Sequence, residues 1–346
     1  MEFDINKLVR PNIRNLKPYS SAREEYKGQD AVFLDANQNP YNAPYNRYPD
    51  PLQSALKNKI GELKNIPPEN IFHGNGSDEA IDLLIRAFCE PGRDNIVSID
   101  PSYGMYRVCA DINDVQFTGV LLAEDFQVNV DAMLKAVNER TKIIMLCSPN
   151  NPTGNCFRET AITELIESFH GIVMLDEAYI DFAPEQSLLG KLKLYPNLVI
   201  LQTLSKAWGM AGMRLGMAFA GEEIIRTLSK IKYPYNISKP VQEQVLTALE
   251  KPGQMKTWVE RIQKEKSRLM RELEKIDLVE KVFPADANFF LIRVAEPRRI
   301  YEYLVKKNII VRDRSGLRLC RGCLRITTGT EAENQALLDA LKTYVS

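Results

Sequence analysis

A chain of 346 residues with 45% apolar and 26% charged residues has room for one large or two ordinary domains with full cores. Lys+Arg and Asp+Glu both total 45, and that balance argues against a general nucleic-acid or membrane-surface binder. No apolar run nears the roughly 20 residues of a membrane span, and the first residues lack a basic-then-apolar signal, so a cytoplasmic home is expected. Six dispersed cysteines are too few to frame the chain, and Cys320-Arg-Gly-Cys323 has no second pair. With only two histidines, His73 and His170, no metal site is expected and the cysteines read as free thiols.

In chain order, residues 1–30 are polar with scattered aromatics and predict an arm or extended lead-in. Residues 32–35 predict a short strand. Residues 37–51, with four prolines and four asparagines, predict a loop, and 51–63 has helical spacing. From residue 71 strands and helices alternate. Strands are expected at 71–73, 95–99, 116–121, 142–147, 172–175, 198–203 and 217–220. Helices are expected at 79–88, 105–110, 130–138 and 160–169. Near-continuous apolar strands in such βα units predict a mostly parallel sheet covered on both faces, with ligands beyond the carboxyl ends of the strands. After residue 236 the pattern changes. A charged helix over 240–274, short strands at 282–283, 289–292, 309–311 and 324–327, and helices at 300–307 and 331–344 predict a smaller α+β domain. The expected division is an arm with part of the small domain over 1–33, a large cofactor-binding domain over 34–236, and a small domain over 237–346.

Several stretches carry chemistry. Lys206 follows an apolar strand and precedes a loop with Gly209, Gly212, Arg214 and Gly216. Asp176 ends another apolar run. An amine and an acid at the ends of buried strands suit pyridoxal phosphate, the amine forming a Schiff base and the acid holding the pyridinium proton. Gly74-Asn-Gly-Ser77-Asp78 places glycines before a helix N-terminus, a ready anion site, although Ser77 or Asp78 alone reads as a plain N-cap. It is neither a dinucleotide fingerprint nor a Walker loop. Arg214 suits a bidentate phosphate contact or a surface cation. Asn150-Asn151-Pro-Thr-Gly154 reads as a turn or a ring contact, and Tyr103 and Tyr179 as core aromatics or ring neighbours.

Ser148–Gly154, Asp176–Tyr179 and Thr203–Ala207, with Gly209, Gly212, Arg214 and Gly216, together resemble the fold-type I pyridoxal-phosphate aminotransferases. Leu34–Pro40, Asn46–Asp50 and Gly322–Thr330 narrow the resemblance to the histidinol-phosphate aminotransferase family. It covers essentially the whole chain. It implies an α/β large domain with a mostly parallel sheet plus a smaller α+β domain, and a transaminase of histidine biosynthesis acting on histidinol phosphate and 2-oxoglutarate or glutamate. It implies that Lys206 carries the cofactor and moves the proton, Asp176 pairs with the ring nitrogen, and Asn151 and Tyr179 hold the phenolate. Tyr103 would stack on the ring. Ser77, Asp78, Thr203, Ser205 and Arg214 would hold the cofactor phosphate, joined by Tyr48 from a neighbouring subunit of a homodimer with shared active sites. Tyr19, Asn37, Asn151, Arg312 and Arg325 would contact substrate, with the arginines on its anionic group. Gln38 stands where family members often have Glu. The resemblance gives no clear role to the second half of Arg312-Asp-Arg-Ser-Gly-Leu-Arg-Leu-Cys320. The weighed alternatives are a sister enzyme, such as an aromatic aminotransferase or a threonine-phosphate decarboxylase, and a non-catalytic cofactor-binding regulator, which would need an added DNA-binding region.

Overall fold

The computed structural model describes residues 3–19 and 32–344. Seven strands form the larger sheet: β1 (Ile71–Asn75), β2 (Asn95–Asp100), β3 (Gln116–Leu121), β4 (Thr141–Cys147), β5 (Ile172–Asp176), β6 (Leu198–Thr203) and β7 (Leu215–Ala220). Their order is β1-β7-β6-β5-β4-β2-β3. The pairings from β6 through β3 are parallel, whereas β7 runs antiparallel to both neighbours.

Strand alternation explains why β4 and β5 are apolar at nearly every position. Ile143, Met145, Ile172 and Met174 point into the core beneath the helix Ser77–Phe88. Ile144, Leu146, Val173 and Leu175 point into a second core on the opposite face. Each such fully buried side chain is worth roughly 1.5–3 kcal/mol, so both faces of the sheet are firmly held.

A second, antiparallel sheet follows, built from β8 (Val279–Val282), β9 (Phe289–Val294), β10 (Arg312–Asp313) and β11 (Cys323–Thr327) in the order β10-β11-β9-β8. Phe290, Ile292, Leu324 and Ile326 face a core shared with the helices Pro252–Leu273 and Glu331–Lys342. Phe289, Leu291 and Cys323 pack the other way, against residues of the large-sheet region. Alternation puts Arg325 on that same inward side. The two units are pinned at Gly154, whose carbonyl accepts from the backbone N–H groups of Asp286 (2.8 Å) and Ala287 (3.1 Å). Gly154 has φ +84°, and a Cβ there would lie 2.7 Å from the Cβ of Ala285.

Several elements differ from the sequence reading. Residues 32–35 form no strand: Val32 and Leu34 are 87% and 88% exposed, so their apolar side chains have no core to pack against. Helical turns at Ile5–Leu8 and Pro11–Arg14 replace part of the extended lead-in. Ile5 and Val9 pack beside the helix Ser77–Phe88, so this stretch joins the large unit's core. The long helix is two, Lys239–Leu249 and Pro252–Leu273, because Pro252 at a first helical turn cannot continue the preceding helix. The strand expected at 309–311 falls at Arg312–Asp313, where the ladder to β11 forms.

Candidate active site

Parallel register brings the ends of β4, β5 and β6 to one edge of the large sheet, with Cys147 opposite Asp176 and Asp176 opposite Leu201. There a cavity of about 190 Å³ is lined by ten of the expected residues: Ser77, Asp78, Tyr103, Asn151, Asp176, Tyr179, Thr203, Ser205, Lys206 and Arg214.

Asp176 lies at its floor, only 3% exposed. Its Oδ2 accepts from the Tyr106 hydroxyl at 2.8 Å and its Oδ1 from the Ala178 N–H at 3.0 Å. Burial pushes its pKa up to about 6, and the two hydrogen bonds oppose that rise. A carboxylate held this way is poised for a ligand that brings a proton and positive charge. The Lys206 Nζ sits 5.3 Å from the centre of the Tyr179 ring. The residue stays accessible at the cavity mouth. Protein crowded around its amine lowers the pKa below the ordinary lysine value; Asp176 counters this, while Arg325 and Arg214 add to it.

The opposite end is built for an anion. The helix Ser77–Phe88 starts at Gly76 with no side-chain cap, so Ser77 and Asp78 are first-turn residues rather than caps, and the opening N–H groups have no partner within the helix. Glycine is required twice around this turn. A Cβ on Gly216 would lie 2.1 Å from the Ser77 nitrogen, and one on Gly76, at φ +76°, would lie 2.7 Å from Arg214 Nη2. Arg214 itself is left-handed (φ 54°). Its carbonyl accepts from the Gly76 N–H, and its Nη2 lies 3.6 Å from Asp78 Oδ2. The hydroxyls of Thr203 and Ser205 are 2.9 Å apart beside them. This cradle of N–H groups, hydroxyls and a guanidinium fits a phosphate. With the buried acid and the amine across the cavity, the whole fits pyridoxal phosphate.

Arg325 reaches in from the small sheet. Its Nη1 donates to Asn151 Oδ1, its guanidinium lies 5.0 Å from the Phe289 ring centre, and Asn151 Nδ2 is 3.4 Å from the Tyr179 hydroxyl. Arg312 stands opposite Arg325 in the β10–β11 ladder and is exposed. Tyr19, Asn37 and Tyr48 do not line the cavity. Tyr19 and Asn37 are exposed. Tyr48 stacks on Tyr235 at 4.4 Å, beside a separate cavity of about 540 Å³ that also holds Gln38, whose Oε1 accepts from Arg47 at 3.1 Å.

Three residues escaped the sequence reading. Tyr106, fully buried, holds Asp176. Its one signal was its position three residues after Tyr103. Glu177, also buried, accepts from Ser187 Oγ, the Leu188 N–H and Gln202 Nε2, tying the loop after β5 to β6. Arg314 sits beyond β10 with a buried Nε that has no partner. The CxxC cysteines, Cys320 and Cys323, are buried free thiols with raised pKa values, burial being the main cause. No helix among the described residues is long and apolar enough to cross a membrane.

The profile described as "Aminotransferase class I and II" matches residues 24–341. The histidinol-phosphate aminotransferase of Bacteroides fragilis strain YCH46 is 56% identical over 341 residues, covering 98% of this chain and 99% of that one. That of Cytophaga hutchinsonii is 53% identical, over 99% of this chain and 100% of its own. Among solved structures, the histidinol-phosphate aminotransferase from Clostridium acetobutylicum superposes with a TM-score of 0.80 at 26% identity, over 86% of this chain and 90% of that one.

Proposed function

This chain belongs to the class I and II aminotransferase family, and on that premise we propose that it is a pyridoxal-phosphate-dependent histidinol-phosphate transaminase. It interconverts L-histidinol phosphate and 2-oxoglutarate with imidazole acetol phosphate and L-glutamate, in histidine biosynthesis. The observation that carries the reading is one cavity lined by both the buried acid Asp176 and the crowded amine of Lys206. When bound, the cofactor draws electron density away from the substrate's Cα, so that a proton there can leave. Asp176 holds the proton on the ring nitrogen. Lys206 anchors the cofactor and then, as a free amine, takes the Cα proton. The crowding that lowers its pKa keeps more of that amine neutral and able to do so. Asn151 and Tyr179 orient the ring through its phenolate oxygen, and Tyr103 covers its face. Ser77, Asp78, Thr203, Ser205 and Arg214 bind its phosphate. Arg325 and Arg312 take the substrate's anionic end.

Tyr19, Asn37 and Tyr48 fit a site completed by a second copy of the chain, and the proposal includes a homodimer with shared sites in the cytoplasm. It also includes the division into an arm (1–33), a large domain (34–236) and a small domain (237–346). The deciding experiment records the absorbance of purified protein before and after histidinol phosphate, with phenylalanine and threonine phosphate as comparators. We expect a cofactor band that histidinol phosphate shifts and that Lys206→Ala abolishes together with turnover. An unaltered band and normal turnover in that variant, or a response to the comparators only, would overturn the reading.

A further inference from the structure

The small sheet carries more positive charge beside the cavity residues Asn151 and Tyr179 than a carboxylate substrate needs. In the β10–β11 ladder Arg312 pairs with Arg325, and one step on the Arg314 N–H donates to the Cys323 carbonyl at 3.0 Å. Strand alternation therefore puts Arg312, Arg314 and Arg325 on one face. That is the face by which Cys323 packs toward the large sheet and Arg325 meets Asn151. Among the described residues none of the three guanidiniums has a carboxylate within ion-pair distance. Asp313, between two of them, is occupied by the Ser315 N–H and hydroxyl. The Nε atoms of Arg314 and Arg325 are both buried without a partner. Each guanidinium is destabilised first by burial and then by a neighbouring arginine, Arg312 for Arg314 and Arg314 for Arg325, while Tyr179 acts on both in the opposite sense. Half-buried like charges without a counter-ion are costly unless an anion joins them.

We propose that Arg314 is a specificity residue: a third guanidinium that engages the substrate's phosphate and favours a phosphate dianion over a carboxylate. The proposal rests on the functional reading above. A phosphate monoester carries close to two negative charges at pH 7, with its second ionisation near pH 6, and has three acceptor oxygens to share among three guanidiniums. Either carboxylate of glutamate carries one charge and two oxygens, which a single guanidinium can satisfy bidentately. Removing Arg314 should therefore penalise histidinol phosphate far more than glutamate.

The test measures kcat/KM for both amino donors in wild type, Arg314→Gln and Arg314→Lys. For Arg314→Gln we expect KM for histidinol phosphate to rise about ten- to hundredfold, the scale of one lost charge-assisted hydrogen bond, with KM for glutamate within about threefold. Arg314→Lys should recover part of the loss. Across pH 5 to 7.5, the fall in wild-type KM for histidinol phosphate as its second proton leaves should flatten in Arg314→Gln, a response that mere packing would not produce. Equal losses for both donors, or an unchanged pH response, would overturn the proposal even where wild type is active. Wild type inert toward histidinol phosphate would instead overturn the functional reading. Melting temperatures identify a variant that fails to fold, in which case Arg314→Lys alone decides, by whether the ratio between the two donors moves.

Discussion

Replacing Asp176 by Asn should stabilise the cofactor-free protein at pH 8 while destroying its activity. The carboxyl is buried, and burial raises its pKa from 3.8 to about 6. The folded state thus binds more protons than the unfolded one between those values, and stability falls as pH rises. The group's contribution is fully present below about pH 4 and lost as pH climbs through about 6. At ~1.4 kcal/mol per pH unit the ionised side chain costs the fold roughly 3 kcal/mol at pH 8 and about half that at pH 5. Asn has nearly the same shape but offers one acceptor oxygen, where the carboxylate serves both Tyr106 and Ala178. Losing one of those bonds returns about 1 kcal/mol, leaving a net gain of roughly 2 kcal/mol at pH 8 that shrinks toward zero near pH 5. Glu177, buried next door with its pKa raised to about 7, titrates in both proteins and cancels. Urea unfolding of the cofactor-free proteins at pH 8 and pH 5 reads the difference, and a transaminase assay reads the loss, expected at two orders of magnitude or more. If Asp176→Asn were destabilised equally at both pH values, the buried carboxylate would not be electrostatically strained, and the argument for its role would fail with it.

Two further substitutions test the supports of the site. Tyr106→Phe removes a donor to Asp176 and should move the acid limb of the kcat/KM profile upward by about one pH unit or more, with little change in KM; a limb that stays in place would mean the hydroxyl does not tune the acid. Gly216→Ala would put a Cβ 2.1 Å from the Ser77 nitrogen, so the helix start must shift. We expect a loss of roughly 1–3 kcal/mol in unfolding free energy and cofactor affinity at least tenfold weaker by fluorescence titration, and a wild-type result in both would show that the turn is not held by this contact.

The large sheet was legible because β2, β4, β5 and β6 are apolar on both faces, the pattern of strands in a doubly covered parallel sheet. The edge of that sheet then gave the site, since Asp176 and Thr203 end apolar strands and Asn151 lies in the turn just after β4. The small sheet was harder. Ile309–Val311 is the apolar run, but Ile310 is 70% exposed and the ladder forms one step later, at Arg312–Asp313. A two-residue strand is defined by its partner, which a linear pattern does not contain. Tyr106 was hidden for the same reason: among the buried residues of its helix nothing local separates a core aromatic from one whose hydroxyl reaches Asp176. Arg314 had no role in the sequence until the register set it opposite Cys323, on the same face as Arg312 and Arg325.

The charges along the cavity explain why these features occur together. Among the described lining residues Asp176 is the buried carboxylate, and its pairing with Tyr106 and Ala178 leaves it able to accept a cationic N–H. Among the described residues, Asp78 beside Arg214 is joined at the cavity by the cations Lys206 and Arg214, and Arg325 reaches Asn151 from the small sheet, on whose inward face Arg312 and Arg314 also lie. Two of those cations stand at separated ends, Arg214 on the helix turn and Arg325 on the small sheet. Such a site favours a molecule with one anionic end at the turn and a second molecule whose anionic end lies toward the small sheet, with the amine between them. Because like charges at both ends lower the pKa of Lys206, the cations that select the ligands also help supply the neutral amine. Neutralising Arg325 should therefore raise the pKa of Lys206 as well as weaken substrate binding, since the two roles depend on the same charge.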